Sequence, residues 1–192
     1  MKAILSTLFL FSIPVFAQDC GCDHVISSGT SDVNGNVMSI DPGDTICISS
    51  GARDRIKFRN FSGTSENPVV IINCGGQVAI DPTTYSYGIK VENVDYVKFT
   101  GSGDENVPYG FRVSGTTGYG IDMGLLTNHF ELDHFEFEET GDYAIYYKND
   151  PTCDLSANKG VFTLEDSKIN NVHIFDCNKG IRMGSIEYDL GI

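Results

Sequence analysis

The stretches YGIKV (87–91), YGFRV (109–113) and YGIDM (119–123) decide the fold, because one phrase recurs: tyrosine, glycine, apolar, charged, apolar. YAIYY (143–147) and KGIRM (179–183) are variants of it. Around the first phrase, IKVENVDYVKF (89–99) aligns with IDMGLLTNHFEL (121–132) at a spacing of 32 to 33 residues. AIYYK (144–148) and GIRMG (180–184) lie 36 apart, with KNDPTCDLSANKG (148–160) reading as an inserted loop. Repeats of this length mark units that cannot bury their apolar face alone. Strand units of that kind stack, each strand pairing with its equivalent one turn away.

The rest of the chain agrees. Short alternating runs such as Ile56–Phe58, Val69–Ile72, Val97–Phe99, Phe135–Phe137 and Phe162–Leu164 are separated by Gly, Asn, Asp and Ser. No helical period holds over three turns. A β-sandwich would alternate likewise but gives no reason for its strands to resemble one another. The reading is therefore an all-β, right-handed parallel β-helix. Ile, Val, Phe and Leu should form inward ladders, with Lys90, Glu92, Asp122, Glu131 and Asp133 on the outer face. The apolar phase skips a residue between Leu132 and Phe135, as a corner between two strands requires.

Residues 1–17, MKAILSTLFLFSIPVFA, have the lysine, apolar run and small cleavage residue of a secretory signal, which leaves Gln18 as the mature N-terminus. The run is too short to span a bilayer. Residues 18–44, ending in Asp41-Pro42-Gly43-Asp44, read as an N-terminal cap, and 45–192 as the turns of the coil. The last residues run out of a strand pattern, so the chain reads as truncated at its C-terminal side, the first part of something longer. The expected location is secreted or at the cell surface.

The formal net charge is −13, and the signal removes one lysine and no acid. No basic patch is in prospect to replace phosphate counterions, which excludes nucleic acid as a partner, and no second apolar stretch provides membrane insertion. Six cysteines (Cys20, Cys22, Cys47, Cys74, Cys153 and Cys177) remain in the mature chain. An even count in an exported chain reads as disulfides. The expectation is that Cys20 or Cys22 pairs with Cys47 or Cys74, and Cys153 with Cys177. Cys20-Gly21-Cys22 has the wrong spacing for a metal site, so no metal ligands are assigned.

DPGDTICISSG (41–51) followed by IKFRNFSGTSENPVVIINCGGQVAI (56–80) resembles the first turns of secreted bacterial right-handed parallel β-helix repeat proteins with the pectin-lyase-like fold. YGIKVENVDYVKFTGSG (87–103) and KNDPTCD (148–154) extend the resemblance, which covers about residues 41–183. It implies the fold strongly and function weakly, because the architecture carries lyases, glycosidases, adhesins and tailspikes. In that group a histidine–aspartate pair and a Gly-Gly-Glu-Gly turn precede the last turn of the coil. IFDCNKG (174–180) has Phe175 and Lys179 at those places, so no role transfers there.

The best chemical cluster is NHFELDHFEFEET (128–140). Alternation puts Glu131 and Asp133 outward on one strand, and Glu136 and Glu138 outward on the next. Paired carboxylates serve glycoside hydrolysis. They also serve Ca²⁺, the one cofactor considered, which takes six to eight oxygens. The catalytic candidates are Glu131, Asp133 and His134, the last oriented by Asp133 only if the chain turns a corner there. His129 and His173 carry no partner signal of that kind. Lys148, Arg182 and Glu136 are the candidate substrate contacts, since an elimination needs a cation beside the sugar carboxylate.

Two functions of different class follow. One is an extracellular protein that recognises or processes polysaccharide, of lyase or glycosidase type. It requires a groove in which two carboxylates, or a cation and a carboxylate, converge. The other is a non-catalytic surface or adhesion module, with charges spread over all faces.

Overall fold

The computed structural model describes residues 20–124, 126–148 and 165–184. The signal segment and Cys153 lie outside them. Among the described residues thirteen strands follow in order: β1 (His24–Ile26), β2 (Asp32–Asn34), β3 (Thr45–Arg53), β4 (Ile56–Ser62), β5 (Val69–Ile80), β6 (Tyr87–Asp95) and β7 (Val97–Thr100). Then come β8 (Phe111–Ser114), β9 (Tyr119–Gly124), β10 (Phe130–Glu138), β11 (Tyr143–Lys148), β12 (Lys168–Phe175) and β13 (Lys179–Gly184). Their pairings are parallel, in a six-stranded sheet β13-β11-β9-β6-β4-β2 and a seven-stranded sheet built on β1-β3-β5-β7-β10-β12. The chain is a parallel β-helix.

The larger sheet folds lengthwise into two faces. β10 pairs with β7 through Phe130–Asp133 and with β8 through Phe135–Glu138, and the bend falls at His134, whose φ is 55°. β12 bends opposite it at Asn171, φ 46°. Left-handed backbone at a residue other than glycine is uncommon, and here it recurs turn after turn at the corners. Each full turn therefore has a first face (β7 type), a second face (β8 type) and a third face, the six-stranded sheet.

Like residues lie over like. On the first face the inward column is Ile46, Ile71, Phe99, Leu132 and Ile169. On the third it is Ile56, Ile89, Ile121, Ile145 and Ile181. Most of these are fully buried and join one continuous core. Each buried side chain of this size contributes about 1.5–3 kcal/mol. Tyr147 enters a column otherwise of Phe58, Val91 and Met123, and its hydroxyl donates to the Thr127 carbonyl at 2.6 Å. Burial pushes that phenol up to about 12.

The recurring glycine of the third face answers to close approach. A Cβ on Gly120 would lie 2.5 Å from the Ala144 carbonyl oxygen. Tyr87 and Tyr119 are register partners, but YGFRV enters β8 on the second face, so that copy does not continue the column. The cap stretch contributes β1 and β2, which extend both sheets by one partial turn. Asn34, Asn60 and Asn93 form a corner ladder, each later amide donating to the earlier oxygen at 2.8 Å.

The N-terminal cysteines pair as Cys20–Cys74 and Cys22–Cys47. Sulfurs of Cys20, Cys22 and Cys74 lie close enough for a metal, but all three are held in disulfides. The expected Cys153–Cys177 pair has one member outside the described residues. The Cys177 thiol faces the Phe137 carbonyl at 3.5 Å.

Candidate functional site

The alignment of 89–99 with 121–132 places Tyr96 one turn below His129, and Lys98 one turn below Glu131. Tyr96 and His129 are the left-handed residues (φ 50° and 44°) that lead into β7 and β10. Their rings stack at 4.1 Å, 9° from parallel. His129 Nδ1 sits 2.7 Å from Asp95 Oδ1, and Nε2 is 3.7 Å from Glu165 Oε2. Such a carboxylate fixes the tautomer and aim of an imidazole.

On the first face the outward row is Lys98, Glu131 and Lys168 on successive turns. Lys98 Nζ is 3.2 Å from Glu131 Oε1, and Asn170 donates to the same oxygen at 3.5 Å. Beside this row lies an open groove of about 410 Å³, lined also by Tyr96, His129, Asp166, Ser65 and Pro68. Two amines, two carboxylates (Glu131 and Asp166) and an oriented imidazole thus share one opening. They can neutralise an acidic or hydroxyl-rich ligand and move a proton beside it.

The residues singled out from sequence divide among the faces. Glu131 is in the groove. Asp133, expected outward, is 6% exposed, because the phase skip turns it into the corner. There it accepts from Asn171 Nδ2 at 2.9 Å and Thr100 Oγ1 at 3.1 Å, tying three turns together. Burial opposes its charge, but the hydrogen bonds from Asn171 and Thr100 and the close His134 imidazole outweigh it and hold the carboxyl below the usual range. The corner does turn at His134, and its Nδ1 comes 2.7 Å from Asp133 Oδ2. The angle falls outside hydrogen-bonding range, so the contact is a close electrostatic one without an aligned partner.

Glu136 is on the second face, 3.3 Å from Arg112 Nε and 3.1 Å from His173 Nδ1. Arg112 also binds Glu138. Lys148 and Arg182 are on the third face, where Arg182 lies over the Tyr146 and Tyr143 rings at 5.6 and 5.9 Å. The carboxylates of 131–138 are therefore split by a corner. Among the described residues they form no group close enough to hold a cation. His129 and His173 do have carboxylate partners, contrary to the sequence reading, at separations of 34 and 37 residues. Tyr96, Lys98, His129 and Lys168 were missed as a set, although the repeat alignment already paired two of them.

No family model matches the chain, and no curated protein matches it in sequence. In shape the chain is similar to the crystal structure of an alginate lyase from Paenibacillus sp. str. FPU-7, with 18% identity and a TM-score of 0.46. The overlap covers 79% of this chain and 58% of that one, so the chain spans well under two thirds of that enzyme's length. A likeness at this level transfers no residue role. Among the described residues no helix is long and apolar enough to cross a membrane.

Proposed function

We propose that the protein is an exported parallel β-helix of the pectin-lyase-like kind that recognises and processes a polysaccharide outside the cell. The observation that carries this reading is the groove beside the Lys98–Glu131–Lys168 row, overlooked by the Tyr96–His129 stack. Strands one turn apart are separated by about 4.8 Å, close to the advance of one sugar in an extended glycan. A chain lying along the axis meets an equivalent position at each turn. Lys98 and Lys168 contact its acidic or hydroxyl groups. Glu131 holds Lys98 in place and accepts from the sugar. His129, aimed by Asp95, takes the proton next to a sugar carboxylate; a double bond forms, the bond to the leaving sugar breaks, and water protonates the departing oxygen. Asp133 and His134 act on the groove through the corner they hold. The signal-like segment and the two disulfides support export.

Assays for new reducing ends and for unsaturated uronate, on a panel of plant and algal polysaccharides with and without Ca²⁺, test this. Product from at least one, lost in Lys98→Ala with Lys168→Ala, is expected. No product and no binding across the panel would overturn it.

The second reading, a non-catalytic binding module, rests on ion pairs spread over the faces: Lys57–Glu92 at 2.5 Å, Lys90–Asp122 at 3.2 Å and Lys179–Asp142 at 2.7 Å. Binding without product in the same assays selects it.

A further inference from the structure

Arg53 stands where the core should be apolar. Its register partners along the second face are Ile80, then Val113 and Phe137, all buried and inward. Arg53 heads that column and is 8% exposed. Nη1 donates to the Thr30 carbonyl at 3.2 Å and Nη2 to the Ser49 carbonyl at 2.9 Å, while Nε meets no acceptor. Among the described residues no carboxylate lies within ion-pair distance of it. A guanidinium stays protonated at any ordinary pH, and a buried charge without its opposite is costly.

Arg53 lines a cavity of about 260 Å³ shared with Arg55, Tyr85, Ser28, Thr30 and Ser31. The Arg55 guanidinium lies 3.8 Å over the Tyr85 ring and donates to the Tyr87 hydroxyl at 2.5 Å. It too has no carboxylate partner among the described residues. Asp54, the acid in the wall, is engaged by the Thr83 backbone N–H at 2.7 Å and faces the Thr83 hydroxyl at 3.3 Å. Two guanidiniums without counter-ions, with serine and threonine hydroxyls around them, form a donor set suited to an oxyanion.

We propose that this cavity binds one carboxylate or sulfate group of an acidic polysaccharide, with Arg53 at its buried end and Arg55 at its open side. The third face continues from it. Tyr87, held by Arg55, begins the outward column Tyr87, Tyr119, Tyr143 and Lys179. The next column carries Lys57, Lys90 and Arg182 around Asp122 and Tyr146. This face thus combines tyrosines with lysines paired to Glu92, Asp122 and Asp142, and tyrosine offers both an apolar ring and a hydroxyl to a sugar. The inference rests on the polysaccharide reading for its ligand class, and is independent of the groove on the first face.

Calorimetric titration of the intact protein with uronate, sulfated and neutral oligosaccharides of equal length tests it. At least one acidic oligosaccharide should bind well above the neutral one, and the stronger of the two identifies carboxylate or sulfate. Arg55→Ala should weaken that binding about tenfold or more. Arg53→Met, which restores an apolar column, should do the same while keeping its thermal midpoint. The Lys98→Ala, Lys168→Ala double variant should retain the Arg55-dependent component. Equal binding of acidic and neutral oligosaccharides, or unchanged affinity in Arg55→Ala, would overturn the proposal. Arg55-dependent binding without turnover would count against the groove's chemistry alone.

Discussion

Tyr96 and His129 occupy the same corner on successive turns, both in left-handed backbone, with rings 4.1 Å apart. The stack fixes one side of the imidazole, and Asp95 fixes its Nδ1 edge. A histidine so constrained has lost much of the rotamer freedom that would otherwise oppose a defined role.

His129→Asn tests that role. Asparagine tolerates positive φ better than most residues, so the corner survives while the base is gone. Turnover of an active glycan should fall about 100-fold or more with KM little changed, and the thermal midpoint should move by only a few degrees. Steady-state kinetics and thermal unfolding read both.

Asp133 sets a pH dependence of stability. Its carboxyl is held below the unfolded value, which is about 3.9, so its stabilisation is fully present above that value. It is lost as pH falls through the lower, folded value. Asp133→Asn should lower stability at neutral pH by about 1–3 kcal/mol and flatten the acid limb. Urea unfolding followed from pH 7 down to pH 2 is the measurement.

The recurring glycine gives a contrast within one motif. Gly120→Ala forces a methyl to 2.5 Å from the Ala144 carbonyl and the Phe137 ring, whereas a Cβ on Gly180 meets nothing within 4 Å. The first substitution should cost about 1–3 kcal/mol or more, the second less than about 0.5 kcal/mol. Paired denaturation curves decide it.

Cys20–Cys74 and Cys22–Cys47 close loops of 54 and 25 residues. Each should contribute about 3–4 kcal/mol by restricting the unfolded chain. Cys22→Ser with Cys47→Ser should lower the urea midpoint without changing the sheet signal in circular dichroism.

The fold was legible because its rule is local and repeated. The 32-to-33-residue spacing of 89–99 and 121–132 is the observed register of Ile89 under Ile121 and Phe99 under Leu132. The site was harder to read. The phase skip marked the corner between Leu132 and Phe135 and put Glu136 on the next strand, but strict alternation cannot show that the corner withdraws Asp133. His129 was passed over because its partner Asp95 is 34 residues earlier, and only stacking brings them together. Arg53 gave no signal at all, since an inward arginine at the end of a strand looks like any charged terminus until its column is known.

The disulfides lie where β3 and β5 begin their climb, so the coil is sewn at one extremity. In a stack where each turn leans chiefly on its neighbours, heat or force then peels the described turns far from the disulfides before those beside them. Amide exchange should accordingly form a gradient along the axis, slowest near Cys47 and quickest near β13, and a glycan spanning several turns would act as a clasp against that peeling.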